Sequence, residues 1–194
     1  MNKEMIYLKG QCKARGHFDT LKAITAANKL HRGQKRKSGE DYIVHPLRVA
    51  SSLLALKITD EEVISTAILH DVIEDCNITK EELVYKYGIK KEVAEYVSIL
   101  TKTKDMSTEE YYNNIKQHPV CVLVKIADRC NNVSTMAGVF SNKKIALYVE
   151  ETEKYIIPLC KYGKELYPNL GDEIFTMKYH ILSILEFAKL IAAN

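Results

Sequence analysis

The sequence predicts an all-α fold, and three of its features lead to this prediction. Apolar residues recur along most of the chain at the spacing of an amphipathic α-helix. Capping patterns, in which Ser or Thr precedes an acidic residue by three positions, mark several helix starts. Glycine and proline number only 8 and 4 among the 194 residues, which argues against a turn-dense all-β chain. We expect a bundle of roughly eight to ten helices, in a single domain that spans residues 1–194.

The first helices flank a basic loop. An amphipathic stretch from Phe18 to His31 predicts one helix, with Gly33 as its stop signal. Pro46 suits the first turn of a second helix that continues to about Lys57. Between the two helices, residues 34–40 form a polar, basic loop, in which three of the seven residues are Lys or Arg, and such a segment is typically exposed.

Capping boxes predict the starts of three further helices. They lie at Thr59–Glu62, at Thr79–Glu82 and at Ser107–Glu110. The first precedes a strongly apolar helix that we expect to continue through Ile73. Gly88 should end the second, a further helix should span Lys90–Lys102, and the third should end before Pro119.

The last part of the chain predicts three longer helices. Val120 to Thr135 forms an apolar helix, and amphipathic helices follow at Asn142–Gly163 and Gly171–Ala193. Pro158 should kink or end the first of these amphipathic helices early, because proline lacks a backbone donor.

Composition narrows the class of protein. Apolar residues make up 46% and charged residues 27%, as expected for a globular protein, and no apolar run is long enough for a membrane span. The formal net charge of +3 is too small to indicate nucleic-acid binding, but its sign suits an anionic small molecule. The five cysteines form no C-x-x-C pair, so we expect free thiols and a cytoplasmic location, with no membrane partner.

Four side chains could bind a metal ion. They are two histidines and two aspartates beside helix-forming sequence: His45, His70, Asp71 and Asp128. Such a set, without cysteine, suits a borderline-to-hard divalent cation that keeps positions open for water and substrate. Two of them interrupt apolar runs, where an unpartnered polar group is costly. On the residues alone, these four side chains could also be ordinary core or surface residues.

Acidic residues follow the second histidine by one helical turn. On a continuous helix, His70 and Glu74 would stack at i and i+4, and so would Asp71 and Asp75. One helix would then offer two metal ligands and, one turn later, two carboxylates available to handle protons.

Three segments resemble the ordered motifs of one known family. Gly33–Pro46, His70–Asp75 and Lys125–Arg129, the last followed by Asn132 and Thr135, resemble HD-type metal-dependent phosphohydrolases. More narrowly, they are similar to the hydrolase domain of the RelA/SpoT-type alarmone hydrolases. This resemblance implies an HD-domain helical bundle that removes the 3′-pyrophosphate from guanosine tetraphosphate or pentaphosphate, abbreviated (p)ppGpp.

The resemblance also implies roles for individual residues. The ligands of one manganese ion would be His45, His70, Asp71 and Asp128. Glu74 and Asp75 would position and deprotonate the attacking water. The residues that line the nucleotide pocket would be Arg36, Lys37, Ser38, Asn132 and Thr135.

The chain departs from the family pattern after Asp128. Cys130-Asn131-Asn132 stands where leucine-histidine-asparagine is usual, and Ser134 stands where an arginine is usual. These departures bear on which nucleotide is bound. Since no synthetase-like pattern follows Thr135, we expect a stand-alone hydrolase.

Other functions stay possible on the sequence alone. The chain could be an HD phosphohydrolase that acts on another nucleotide or on NADPH, or a catalytically weak module that binds the alarmone. A helical nucleic-acid binder that uses the basic loop is a third alternative, although we expect a small-molecule nucleotide and no nucleic acid as the partner. The sequence leaves the oligomeric state open.

Overall fold

Helices supply the regular structure of the described part of the chain, which confirms the predicted all-α fold. The computed structural model describes residues 2–192, and within this range the extended backbone is limited to one isolated bridge between Lys35 and Asp41. The α-helices of the described range are α1 (Lys3–Arg15), α2 (Phe18–Leu30), α3 (Val44–Ala55), α4 (Glu61–Leu69), α5 (Val72–Asp75), α6 (Lys80–Tyr87), α7 (Lys91–Leu100), α8 (Thr108–Lys116), α9 (Pro119–Ser134), α10 (Asn142–Glu151), α11 (Ile157–Leu166) and α12 (Gly171–Ala192). There are more segments than we predicted because α1 was not foreseen and two predicted helices are interrupted.

The residue contacts divide the chain into two compact units, Met1–Val124 and Lys125–Asn194. The helix α9 contains the boundary between them. The single domain expected from the sequence stays a prediction.

Helix α4 forms the centre of the first unit. It packs against α2, α3 and α7, and every residue from Val63 to Leu69 is buried. A helix that is buried all round must be mostly apolar, and its few polar groups need partners. One such partner is present, since the hydroxyl groups of Thr20 and Ser65 lie 3.0 Å apart. The C-terminal end of this central helix leads directly to His70.

The caps of the first unit agree largely with the sequence. Thr79 and Glu82 form the predicted reciprocal capping box of α6, and Ser107 accepts a hydrogen bond from the amide of Glu110 at the start of α8. The predicted box at Thr59 was wrong, because Asp60 is the N-cap of α4. Its carboxylate accepts from the amides of Glu62 (2.8 Å) and Val63 (3.1 Å).

The predicted continuation of α4 through Ile73 was also wrong. The helix ends at Leu69, His70 and Asp71 form a turn, and α5 begins at Val72. The His70 side chain lies 2.8 Å from the carbonyl oxygen of Ala67, which the amide of Asp71 would use in a continuing helix. The expected i to i+4 spacing of Asp71 and Asp75 is kept in the backbone, because the amide of Asp75 donates to the carbonyl of Asp71 over 2.9 Å.

The second unit consists of the C-terminal end of α9 and the helices after it. A π-helical turn, Thr152–Ile156, joins α10 to α11 immediately before Pro158. Proline lacks the amide donor and its ring crowds the carbonyl four residues earlier, so a wider turn accommodates it. The kink or break predicted at Pro158 therefore takes the form of this π-turn.

Helix α12 packs against α10, α11 and the short 3₁₀ helix Pro168–Leu170. Its predicted end at Ala193 lies outside the described residues. Between residues 2 and 192, the structure contains no helix of the length and apolarity that crossing a bilayer requires.

Candidate metal centre

Three of the predicted metal ligands meet in the first unit. His45 lies in the first turn of α3, and His70 and Asp71 form the turn between α4 and α5. One ligand atom from each residue lies within 4.8 Å of the other two. The Oδ2 atom of Asp71 is 3.2 Å from Nε2 of His70 and 3.5 Å from Nε2 of His45. Both imidazoles are buried, whereas the Asp71 side chain is 22% exposed, so one side of the cluster is open to solvent.

The hydrogen bond of His70 indicates which ring nitrogen can bind a cation. Its Nδ1 lies 2.8 Å from the carbonyl oxygen of Ala67, an acceptor, and must therefore carry the proton. In the neutral ring Nε2 then holds a lone pair, and this lone pair faces the Asp71 carboxylate. Two electron-rich atoms at this distance repel each other unless a cation or a proton lies between them.

Two of the three distances within the cluster suit a small divalent cation. Ligand atoms bound at about 2.1 Å from a metal lie roughly 3.0–3.4 Å apart in octahedral or tetrahedral geometry. The two distances from Asp71 Oδ2, 3.2 and 3.5 Å, are close to this range. His45, His70 and Asp71 therefore form a possible metal site.

The fourth predicted ligand, Asp128, belongs to the second unit. It is buried on α9, and its carboxylate contacts two side chains of the same helix. Lys125 Nζ lies 3.3 Å from Oδ2, and the amide group of Asn132 donates to Oδ1 over 2.6 Å. Asn132, predicted to contact the nucleotide, thus contacts Asp128. Thr135 follows the end of α9, and its hydroxyl donates to the carbonyl of Asn131 over 3.0 Å.

The two predicted proton-handling residues lie on the short helix α5. Both Glu74 and Asp75 are exposed, and they lie three and four residues after Asp71. Their carboxylates are therefore accessible to solvent beside the histidine–aspartate cluster. Their role in proton transfer stays a prediction.

The basic loop is an ordered hairpin-like turn. Its tip is closed by hydrogen bonds from the amide of Arg36 to Glu40 (2.8 Å) and from the amide of Gly39 to Arg36 (2.9 Å). Gly39 has φ 86°, a conformation that a side chain would strain. Lys37 and Ser38 are exposed at this tip, which suits the predicted contact with a charged ligand.

Tyr42, which lies between the loop and the predicted metal ligands, was not among the predicted site residues. The hydroxyl of Tyr42 donates to Asp71 Oδ2 over 2.7 Å, and its ring lies 5.9 Å from the guanidinium of Arg36. Burial raises the pKa of Tyr42, and the nearby Asp71 carboxylate raises it further, so the hydroxyl stays protonated and donates. Its place just before His45 was the only signal of this role in the sequence.

His31, which was not among the predicted site residues, supports this tyrosine. The two rings are stacked, with centroids 4.8 Å apart and an angle of 25° between the planes. His31 is buried, and burial lowers its pKa, which favours the neutral ring. The Nδ1 atom of His31 lies 2.7 Å from the side-chain oxygen of Gln34, so the base of the loop is tied to α2.

Arg129, the residue after Asp128, anchors α9 within the second unit. Its guanidinium lies 4.0 Å from the ring centroid of Tyr148 and donates to the hydroxyl of Thr152 over 3.2 Å. Burial raises the pKa of Tyr148 to about 12. This tyrosine therefore packs against a buried cation and has the surroundings of a packing residue.

The chain is similar to known proteins over most of its length. A family model described as HD domain matches residues 23–159. A GTP pyrophosphokinase of Myxococcus xanthus is 40% identical over 153 residues, which are 72% of this chain and 20% of that protein. A guanosine-3′,5′-bis(diphosphate) 3′-pyrophosphohydrolase of Vibrio cholerae is 36% identical, over 82% of this chain and 24% of its own length. The chain thus spans only about a fifth to a quarter of these relatives.

A solved structure supports the same fold. It is described as a metazoan ortholog of SpoT that hydrolyses ppGpp, and it covers 87% of this chain and 94% of its own, with a TM-score of 0.63. At 23% identity this likeness establishes the fold alone. The family model, by contrast, matches well over half of the chain and includes both histidines and both aspartates of the predicted ligand set. The chain therefore belongs to the HD domain family.

Proposed function

We propose that the chain is a metal-dependent hydrolase that removes the 3′-pyrophosphate from (p)ppGpp. The observation that carries this proposal is the cluster of His45, His70 and Asp71, whose ligand atoms lie within 4.8 Å of one another. Two relatives also support the proposal. Proteins from Vibrio cholerae and Aquifex aeolicus, at 36% and 38% identity, are named ppGpp 3′-pyrophosphohydrolases.

The proposed cofactor is one manganese ion per chain. Three ligands would come from the cluster, and Asp128 would be the fourth. Imidazole and carboxylate ligands without a thiolate suit Mn²⁺ better than a structural zinc ion. When bound, such a cation lowers the pKa of a coordinated water and polarises a phosphoryl oxygen.

The remaining steps are assigned to side chains of the protein. Glu74 and Asp75, one turn beyond the ligands, would orient the attacking water and accept its proton. The water oxygen forms a bond to phosphorus, the bond to the 3′-oxygen breaks, diphosphate leaves and a guanosine nucleotide remains. The proposed nucleotide-binding residues are Arg36, Lys37, Ser38, Asn132 and Thr135. Arginine suits this task because its planar group can stack on a base and bind phosphate in a bidentate manner.

The test is a comparison of substrates with the manganese-loaded protein. Guanosine tetraphosphate, guanosine pentaphosphate, the adenine analogue and NADPH are each incubated with it, and the products are separated by ion-exchange chromatography. We expect the two guanine compounds to be hydrolysed fastest, with release of diphosphate. Faster turnover of NADPH or of the adenine compound would contradict the alarmone assignment and leave the metal site intact. Binding of guanosine tetraphosphate without turnover would instead indicate a sensor.

We also propose a cytoplasmic location and a small-molecule nucleotide as the partner, with no nucleic acid. All five cysteines are free thiols, which suits a reducing compartment. The formal net charge of +3 is small for a nucleic-acid binder. Weak binding of DNA and RNA at moderate salt, measured by fluorescence anisotropy, would agree with this proposal. Whether the chain acts alone stays a prediction.

A further inference from the structure

Tyr42 contacts the oxygen atom around which the candidate metal centre is arranged. Its hydroxyl donates to Oδ2 of Asp71 over 2.7 Å. The same oxygen lies 3.2 Å from Nε2 of His70 and 3.5 Å from Nε2 of His45. The hydrogen bond therefore fixes the carboxylate in the rotation that brings Oδ2 toward both imidazoles.

The tyrosine ring is itself held in place from two directions. His31 stacks on it at 4.8 Å, and the ring of His45 meets it edge-on at 6.1 Å with an angle of 81° between the planes. The side-chain amide of Gln34 continues the network, since its Oε1 is 2.7 Å from His31 and its Nε2 donates to the carbonyl of Asp75 over 3.0 Å. These contacts hold the ring so that the phenolic oxygen of Tyr42 stays within hydrogen-bond distance of Asp71, and the carboxylate of Asp75 is a second acceptor beside it.

The same ring lies beside the basic loop. The guanidinium of Arg36 is 5.9 Å from its centroid, a distance at which a cation is attracted to an aromatic ring. Tyr42 consequently connects a proposed metal ligand with a proposed nucleotide-binding residue. A tyrosine with a purely structural role could donate its hydroxyl to any nearby acceptor. Tyr42 instead donates to Oδ2 of Asp71, the atom that we propose binds the cation.

We propose that Tyr42 is a positioning residue that holds the Asp71 carboxylate ready for the cation. It acts through Asp71 and needs no contact with substrate. Hydrogen bonds that orient metal ligands typically change metal affinity or activity by about 10–100-fold. The part of this inference that concerns hydrolysis rests on the proposed function, but the part that concerns metal affinity does not.

The test compares Tyr42→Phe with Tyr85→Phe. The first variant keeps the ring and its stacking on His31 and removes only the hydroxyl. Tyr85 is 83% exposed on α6, so its variant controls for the loss of a phenol elsewhere in the same unit. Metal is stripped from all proteins, folding is checked by circular dichroism, and Mn²⁺ is titrated while the free ion is followed by electron paramagnetic resonance.

We expect Tyr42→Phe to bind Mn²⁺ about 10–100-fold more weakly than the parent and the control. At limiting Mn²⁺, hydrolysis of guanosine tetraphosphate should fall by a similar factor. At saturating Mn²⁺, kcat should return toward the parent value, and KM should stay unchanged, because the variant loses no substrate contact. A structural defect would not be repaired by added metal.

Unchanged Mn²⁺ affinity in Tyr42→Phe would overturn this inference, whatever its activity. If the parent binds Mn²⁺ but hydrolyses none of the guanine nucleotides, the proposed function fails and the affinity comparison still decides the role of Tyr42. If the parent binds no divalent cation, both proposals are overturned.

Discussion

The side chain of His70 links the backbone to the candidate metal centre. Its Nδ1 lies 2.8 Å from the carbonyl of Ala67, and the helix ends there, while Nε2 is directed to Asp71. The same hydrogen bond that interrupts the helix therefore selects the tautomer that can bind a cation.

We expect His70→Ala to abolish high-affinity metal binding, because it removes one of the two proposed imidazole ligands while Asp71 remains. The measurement is the same Mn²⁺ titration of metal-free protein. His118→Ala is a matched control, because His118 contacts Tyr96 and is not part of the candidate metal group. Near-parent affinity in His70→Ala would mean that the cation binds elsewhere.

The two acids on α5 should separate metal binding from chemistry. Glu74→Gln and Asp75→Asn remove a charge with little change of shape, and both residues are exposed, so stability should change little. We expect metal affinity to be kept and kcat to fall by about 10²–10⁴-fold, the range for loss of a general base.

Single-turnover kinetics at saturating Mn²⁺ measure this effect of the α5 variants. A variant with nearly full activity would show that its residue has no role in proton transfer. Loss of metal in both variants would show that these acids are ligands instead.

At the scale of the element, α4 leads to the candidate metal centre at its C-terminal end and is capped at its N-terminal end. Asp60 is the N-cap, with hydrogen bonds of 2.8 and 3.1 Å to the amides of Glu62 and Val63. We expect Asp60→Ala to lower the free energy of unfolding by about 1 kcal/mol and the Tm by about 2–4 °C. Thermal unfolding of the metal-free protein measures both.

The control for Asp60→Ala is Asp105→Ala, which removes an aspartate from an exposed loop. We expect the Mn²⁺ affinity of Asp60→Ala to equal that of the parent, because the capped end of α4 is opposite to His70. An equal loss of stability in both variants would show that removal of the charge, and not of the cap, is responsible.

At the scale of the whole molecule, metal binding and stability should be linked. A cation that binds only the folded chain stabilises it by about 2.7 kcal/mol when its free concentration is about 100 times Kd. For a chain of this size, we expect Mn²⁺ to raise the Tm by about 5–11 °C. Calorimetry with and without chelator measures this shift, and the His70→Ala protein should not show it. A shift of the same size in His70→Ala would assign the stabilisation to another site.

The sequence by itself determined the all-α class, most helix bounds and two of the three predicted caps. These features depend on contacts between residues a few positions apart, so short sequence patterns are enough to predict them. Ser107 and the Thr79–Glu82 box are examples. The motifs also predicted His45, His70 and Asp71 as one group, although only the fold shows their ligand atoms within 4.8 Å.

Only the tertiary structure decided what surrounds those candidate ligands. Tyr42 meets Asp71, and Gln34 meets Asp75, across 29 and 41 positions of the sequence. No local pattern encodes such pairs, because they arise when α2, the loop and the turn after α4 pack around one core. The end of α4 at Leu69 has the same origin, since a buried side chain competes there with the helix for a carbonyl group. Local order thus determined the helices and the choice of candidate ligands, and packing decided how each candidate ligand is held.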